Sequence, residues 1–96
     1  VYNYPNPFSS QTYFTFELRG EHKPTEITIR IFSIAGRLIK EIQFSGGDFA
    51  IGFNKMLWDG KDQDGDPIAN GLYLYKVIAK FNDKTVTTIQ KLVKME

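Results

Sequence analysis

The sequence predicts an all-β, antiparallel fold without a disulfide, and three observations carry that prediction. The first is the kind of apolar residue. Ile (10) and Thr (7) are plentiful, Phe (8) and Tyr (5) are heavily used, and Leu (6) and Ala (4) together only equal Ile. β-branched and aromatic side chains suit a pleated, half-buried surface, whereas Ala and Leu suit helices. The second is apolar alternation at a period of two, with no sustained 3.6-residue period. The third is punctuation by turn-forming residues at intervals of about ten positions.

The elements follow in order. Tyr4-Pro5-Asn6-Pro7-Phe8 reads as extended or turn backbone, because each Pro fixes its own φ and pushes the preceding residue out of the helical region. Thr12 to Leu18 alternates, with Phe14, Phe16 and Leu18 on one face and Tyr13, Thr15 and Glu17 on the other. Gly20 to Pro24 is a polar turn. Glu26 to Ile34 is the next strand, with Ile27, Ile29 and Ile31 sharing a face. Phe32 and Ile34 break that phase, which predicts a bulge or a strand end. Ala35-Gly36-Arg37 is a tight turn in which Gly36 supplies positive φ. Leu38 to Phe44 returns as the second arm of a hairpin, and Ser45-Gly46-Gly47-Asp48 is a loop.

Phe53 to Trp58 is a short strand with Met56 and Trp58 on one face. Asp59 to Asn70, rich in Gly, Pro and Asp, is a long turn. Leu72 to Phe81 is the strongest strand, placing Tyr73, Tyr75, Val77, Ala79 and Phe81 together. Asn82-Asp83 closes a hairpin, and Thr85 to Met95 returns as the last strand.

About seven short strands so spaced predict a β-sandwich with an immunoglobulin-like layout. The chain has no Cys, so the disulfide-bonded version is excluded. Trp58, Tyr73, Tyr75, Ile29, Ile31, Phe14 and Phe16 are the expected core, and Gly36, Gly60, Gly65 and Gly71 are expected to set turns. The whole chain, residues 1–96, reads as a single domain. A mix of 42% hydrophobic, 15% aromatic and 24% charged residues is that of a folded chain, not a disordered tail.

Lys and Arg total 12 against 11 Asp and Glu, a formal charge of +1. Such balance makes no electrostatic case for nucleic acid or an acidic membrane. Without Cys, thiol catalysis and Cys-based zinc sites are excluded. The one His, His22, lies in a turn with no nucleophile near it and reads as solvated. Ser9, Ser10, Ser33 and Ser45 sit in no Gly-x-Ser-x-Gly context, and Gly46-Gly47 lacks the rest of a phosphate loop. No segment approaches the roughly 20 apolar residues of a membrane helix. The first residues have neither the basic region nor the apolar stretch of a signal peptide. An exported chain would carry its signal upstream, which suggests a fragment of a longer protein.

Asp59, Asp62, Asp64 and Asp66 invite a Ca²⁺ reading, since hard cations want clustered carboxylates. The spacing argues against an EF-hand loop. Counting from Asp62, the required Gly falls on Pro67 and the bidentate Glu on Tyr73. Asp62, Asp64 and Asp66 are therefore weak metal candidates, and the expectation is a pair of turns with no metal or other cofactor. Asp59 is expected to bond nearby backbone N–H groups after Trp58.

Five motifs recur in a familiar order: Tyr4-Pro5-Asn6-Pro7-Phe8, Ile34-Ala35-Gly36-Arg37, Trp58-Asp59-Gly60, Asn70-Gly71-Leu72-Tyr73 and Lys91-Leu92-Val93-Lys94. The chain resembles the C-terminal sorting domain of cargo exported by the type IX secretion system. It is most similar to the subgroup like the immunoglobulin-like domain of flagellar hook-capping proteins; gingipain-type cysteine peptidases carry such domains. The resemblance spans essentially the whole chain. It implies a non-enzymatic address label at the extreme C-terminus of a larger secreted protein, such as a peptidase. The label crosses the periplasm and outer membrane to the cell surface or beyond. Implied partners are the translocon, outer-membrane shuttle proteins, a surface sortase and the upstream domains. Recognition candidates are Pro5, Asn6, Pro7, Phe8, Gly36, Trp58, Asp59, Gly60, Gly71, Tyr73 and Lys91. Two rivals are a structural spacer in an extracellular protein and an adhesion or ligand-binding module for carbohydrate or Ca²⁺, using Tyr2, Tyr4, Tyr13 or the Asp turn.

Two features stay open. Leu72, Leu74 and Ile78 alternate with the Tyr73 face, so an apolar stripe points away from the core where an antiparallel strand is normally polar. Either another segment covers it or it is a contact surface. The last strand reads as an edge, with Lys91 and Lys94 on mixed faces to discourage stray pairing, or as a place where a partner strand adds.

Overall fold

A computed structural model describes residues 2–4, 11–18, 24–45 and 52–95. Seven strands lie among them: β1 (Tyr2–Tyr4), β2 (Thr12–Leu18), β3 (Glu26–Ser33), β4 (Leu38–Ser45), β5 (Gly52–Trp58), β6 (Gly71–Lys80) and β7 (Thr85–Lys94). They form a three-stranded sheet, β1-β2-β5, and a four-stranded sheet, β4-β3-β6-β7. Every pairing is antiparallel. The fold is the immunoglobulin-like sandwich that the alternation implied. β1 is the one strand the sequence did not mark: at three residues it is too short to show a period.

The inner faces interleave through an aromatic chain. The Phe14 ring on β2 stacks on Trp58 of β5, centroids 6.0 Å apart and planes 24° apart. It also tilts against Tyr75 of β6 across the sandwich, at 4.9 Å and 56°. Offset and tilted pairs of this kind add about 0.5–1.5 kcal/mol to the burial of their area. Ile27, Ile29 and Ile31 from β3, Tyr73 and Val77 from β6 and Leu92 from β7 complete the buried four-stranded face. The expected core members Trp58, Tyr73, Tyr75, Ile29, Ile31 and Phe14 are all there. The Phe16 side chain lies outside the described residues.

β3 keeps unbroken register with β6 through Ser33, so Phe32 is an outward-facing residue beside Leu74, and the irregularity lies on β4 instead. Ile31 pairs with Lys40 and Phe32 with Leu38, so β4 holds one extra residue, Ile39. A bulge re-aims the side chains beside it, and Ile39 packs against the core. Ile34 sits in the turn beyond and is exposed. That turn is closed by Gly36 N–H to Ser33 O and Ser33 N–H to Arg37 O, both 2.9 Å. The Ser33 hydroxyl accepts from Arg37 N–H at 3.1 Å. Gly36 has φ 90, a conformation that side chains with a Cβ rarely adopt.

Candidate functional site

The ends of the strands gather the sequence motifs at one pole of the sandwich. Tyr4 pairs with Tyr13, Thr12 with Trp58, Ser33 with Tyr73 and Gly71 with Lys94. The Gly36 turn, the Trp58-Asp59-Gly60 turn, the start of β6 and the end of β7 therefore share that pole. Pro5, Asn6, Pro7 and Phe8 lie outside the described residues, as do His22 and Gly46-Gly47.

The segment 59–70 crosses here from one sheet to the other, and local chemistry shapes it. The Trp58 indole N–H donates to Lys61 O at 3.1 Å, and Asp59 Oδ1 accepts from Lys61 N–H at 3.1 Å. Asp59 thus does what the sequence suggested. Gly60, at φ 73, turns the chain so that its carbonyl receives Ile68 N–H at 3.0 Å. Lys61 then bridges to Pro67. The expected long turn is therefore a miniature hairpin. At its tip Asp62 Oδ1 accepts from the backbone N–H of Asp64 and Asp66, at 3.0 and 2.9 Å. Asp side chains favour such turns because they satisfy backbone donors locally. Asp64 and Asp66 are exposed beside it. Among the described residues, no three His, Cys, Asp or Glu side chains converge as a metal set would.

Three residues fix this crossover to the sandwich, and the motif reading missed all three roles. Gln63 docks on the edge of β4: its N–H donates to Ile39 O at 3.1 Å, and its Oε1 accepts from Glu41 N–H at 2.9 Å. Ile68 enters the core. A lone Ile in a polar loop was the available signal; Gln63 carried none. Lys94 corrects the reading of the last strand. It is 4% exposed, and its ammonium donates to Ile68 O at 2.6 Å. It shares the inward face with Leu92, so it fastens the loop and does not guard the edge.

Tyr73 adds a fourth tie, its hydroxyl donating to Ala69 O at 2.7 Å. A strand-opening Tyr bonded to backbone a few residues upstream is a tyrosine corner, a device of immunoglobulin-like sandwiches. Burial raises the Tyr73 pKa. Burial also pushes the Tyr75 hydroxyl up to about 12, and that oxygen has no hydrogen-bond partner among the described residues. Gly36, Trp58, Asp59, Gly60 and Tyr73 thus each have an identified part in building the pole, and Gly71 opens β6 there.

The outer face of the four-stranded sheet is different. Leu72 is 42% exposed, and Leu74 and Ile78 are half-buried between flanking strands. Leu74 lies between Phe32 and Lys91 in register, and Leu72 beside Val93. Exposed Leu38 and Ile89 extend the surface. Arg30, on the same face, is held by Glu41 at 2.7 Å. The stripe is partly open to solvent.

This architecture has known counterparts. The model of the FlgD Ig-like domain matches residues 3–89. The chain belongs to the FlgD Ig-like domain family. Among solved structures it is similar to dimeric latent PorU from Porphyromonas gingivalis, with TM-score 0.77 and 19% identity. That match covers 99% of this chain but 9% of the PorU chain. FlgD from P. aeruginosa gives TM-score 0.66 at 19% identity, over 86% of this chain and 60% of that one. FlgD from Xanthomonas campestris, reported with insights into the hook capping essential for flagellar assembly, gives 0.62 at 17%, over 92% and 58%. The chain therefore spans less than two thirds of each of these proteins, and at such identities the likeness is one of fold. No curated protein sequence matches it.

Proposed function

We propose that this FlgD-type domain is a non-catalytic sorting module that directs a larger cargo protein, such as a peptidase, across the outer membrane by type IX secretion. One observation carries the reading: a fold matching 99% of this chain makes up 9% of a far larger chain. The architecture is thus used as a small appendage, which is the form an address label takes. The five motifs that resemble type IX sorting domains, in their order, support the same reading. In this account the domain passes through the periplasm to the cell surface or the extracellular space. Its partners are the translocon, outer-membrane shuttle proteins, the upstream domains of its own chain and a sortase at the surface. The partly exposed stripe of Leu72, Leu74 and Ile78 is the docking surface.

The test is a fusion. Residues 1–96 are appended to a periplasmic reporter in a host with this secretion system. The expected result is reporter outside the cell, lost in a host lacking the translocon. Retention of a folded fusion in the periplasm overturns the sorting role. That outcome favours a second reading, a structural spacer within an extracellular protein, which the match to the FlgD Ig-like domain supports independently.

A further inference from the structure

The outward stripe of β6 is interrupted. Leu72, Leu74 and Ile78 are apolar, and Lys76 stands among them at the remaining outward position. The register gives it two cross-strand neighbours, Arg30 of β3 and Ile89 of β7. Neither is an acid. Like charges directly opposite one another on a sheet are destabilising, so the Arg30–Lys76 pair costs the isolated domain stability.

The acids of this face are already engaged. Its described strands carry Arg30, Lys76, Lys80 and Lys91 against Glu26 and Glu41. Glu41 is held by Arg30 at 2.7 Å, and Glu26 lies 3.9 Å from the Lys80 ammonium. Among the described residues no acid pairs with Lys76, although the residue is half-buried. Toward the pole its neighbours are apolar. Leu38, Phe32 and Leu74 share one register row, and Leu72 and Val93 the next. A cation without a counter-charge, set in a partly open apolar face, is half of a complementary surface.

We propose that Lys76 anchors a segment of a partner protein in which one Asp or Glu carboxylate is flanked by aliphatic side chains. The carboxylate accepts from the Lys76 ammonium, and the aliphatic groups cover Leu72, Leu74 and Ile89. The inference rests on the outer-face docking surface of the sorting reading and adds the chemistry of its occupant. Charge complementarity argues for this occupant. A carboxylate set beside Lys76 offsets the repulsion from Arg30, and its bond strengthens as the apolar contacts around it exclude water. An anionic bilayer fits less well. It presents a broad negative plane, and Asp64 and Asp66 are exposed at the same pole as Leu38 and Leu72.

The reporter fusion carries the test, in a host with the secretion system. A carbodiimide joins an amine to a carboxylate only where the two touch, so cells are treated with it and the adducts mapped by mass spectrometry. The expected adduct joins Lys76 to an Asp or Glu with aliphatic neighbours in another chain. Lys76→Glu sets an acid opposite Arg30, so it should melt no lower than the unaltered chain yet cut export about tenfold or more. Lys76→Arg keeps the charge but cannot be coupled; it should recover the export that Lys76→Glu loses and give no adduct. Absence of an adduct between Lys76 and another chain overturns the proposal. So does undiminished export of the folded Lys76→Glu fusion, which leaves the sorting role standing. A Lys76 adduct on a fusion retained in the periplasm supports the proposal and overturns the sorting role instead. Binding to phosphatidylglycerol vesicles that Lys76→Glu abolishes, with no protein adduct, assigns the face to lipid and overturns the proposal.

Discussion

The Lys94 ammonium donates to the Ile68 carbonyl at 2.6 Å, and both residues are buried. The bond ties the end of the last strand to the loop that crosses between the sheets. A charged donor strengthens such a bond, and a buried carbonyl left without its partner carries a desolvation cost. Lys94→Met keeps most of the stem volume and removes the donor. It should cost about 2–3 kcal/mol, read as a lower urea midpoint. Amide exchange should quicken at Ile68, whose N–H bonds Gly60 O. An unchanged midpoint would show that this bond does not hold the loop.

Tyr73 and Tyr75 point to the same core but should respond oppositely to loss of a hydroxyl. Tyr73 donates to Ala69 O, whereas the Tyr75 oxygen has no partner among the described residues. Tyr73→Phe should destabilise by about 1 kcal/mol, and Tyr75→Phe should be neutral or stabilise by a similar amount. Parallel denaturant titrations of the two variants decide the matter; equal losses would contradict the assigned geometry.

Tyr75 also predicts a pH dependence. Its hydroxyl is pushed up to about 12 in the folded chain by burial, against about 10 when unfolded. Between those values the unfolded chain has released a proton that the folded chain keeps. Stability is therefore flat in this term below about pH 10 and falls as pH rises toward about 12, by up to about 1.4 kcal/mol per pH unit. Tyr75→Phe should flatten that decline, leaving the smaller part due to Tyr73, whose shift has the same direction. Unfolding curves at about pH 9 and about pH 11 measure it.

Trp58 anchors the aromatic chain and also donates to Lys61 O. Trp58→Ala removes the ring, its stacking on Phe14 and the bond that starts the crossover. The expected cost is about 3–5 kcal/mol, a large part of the stability of an ordinary domain. Circular dichroism and thermal melting should show a largely unfolded or strongly destabilised chain.

Leu74 separates the surface role from the fold. Leu74→Lys changes a half-buried outward position next to Phe32 and Lys91. Melting should change little while export of a reporter fusion falls. Full export of the folded variant would remove the stripe from the proposed docking surface.

The sequence by itself determined the strands, their facing and their breaks. Period-two alternation is a local property: it put Ile27, Ile29 and Ile31 on one face and Tyr73, Tyr75 and Val77 on another, and it flagged a bulge or strand end after Ile31 without placing the extra residue on β4. The Gly36 turn and the turn role of Asp59 were legible for the same reason, since both depend on backbone within a few residues. Tertiary structure alone decided what those faces and ends meet. Nothing local to Gln63 says that it will bond Ile39 and Glu41, because that contact depends on where the crossover lands on β4. Lys94 reads as a surface residue by type, and becomes a buried fastener only because β7 pairs Lys94 with Gly71 beside the folded-back loop. Alternation told that Leu72, Leu74 and Ile78 point outward. Only the packing showed that the stripe stays partly open, because cover comes from segments distant in the chain.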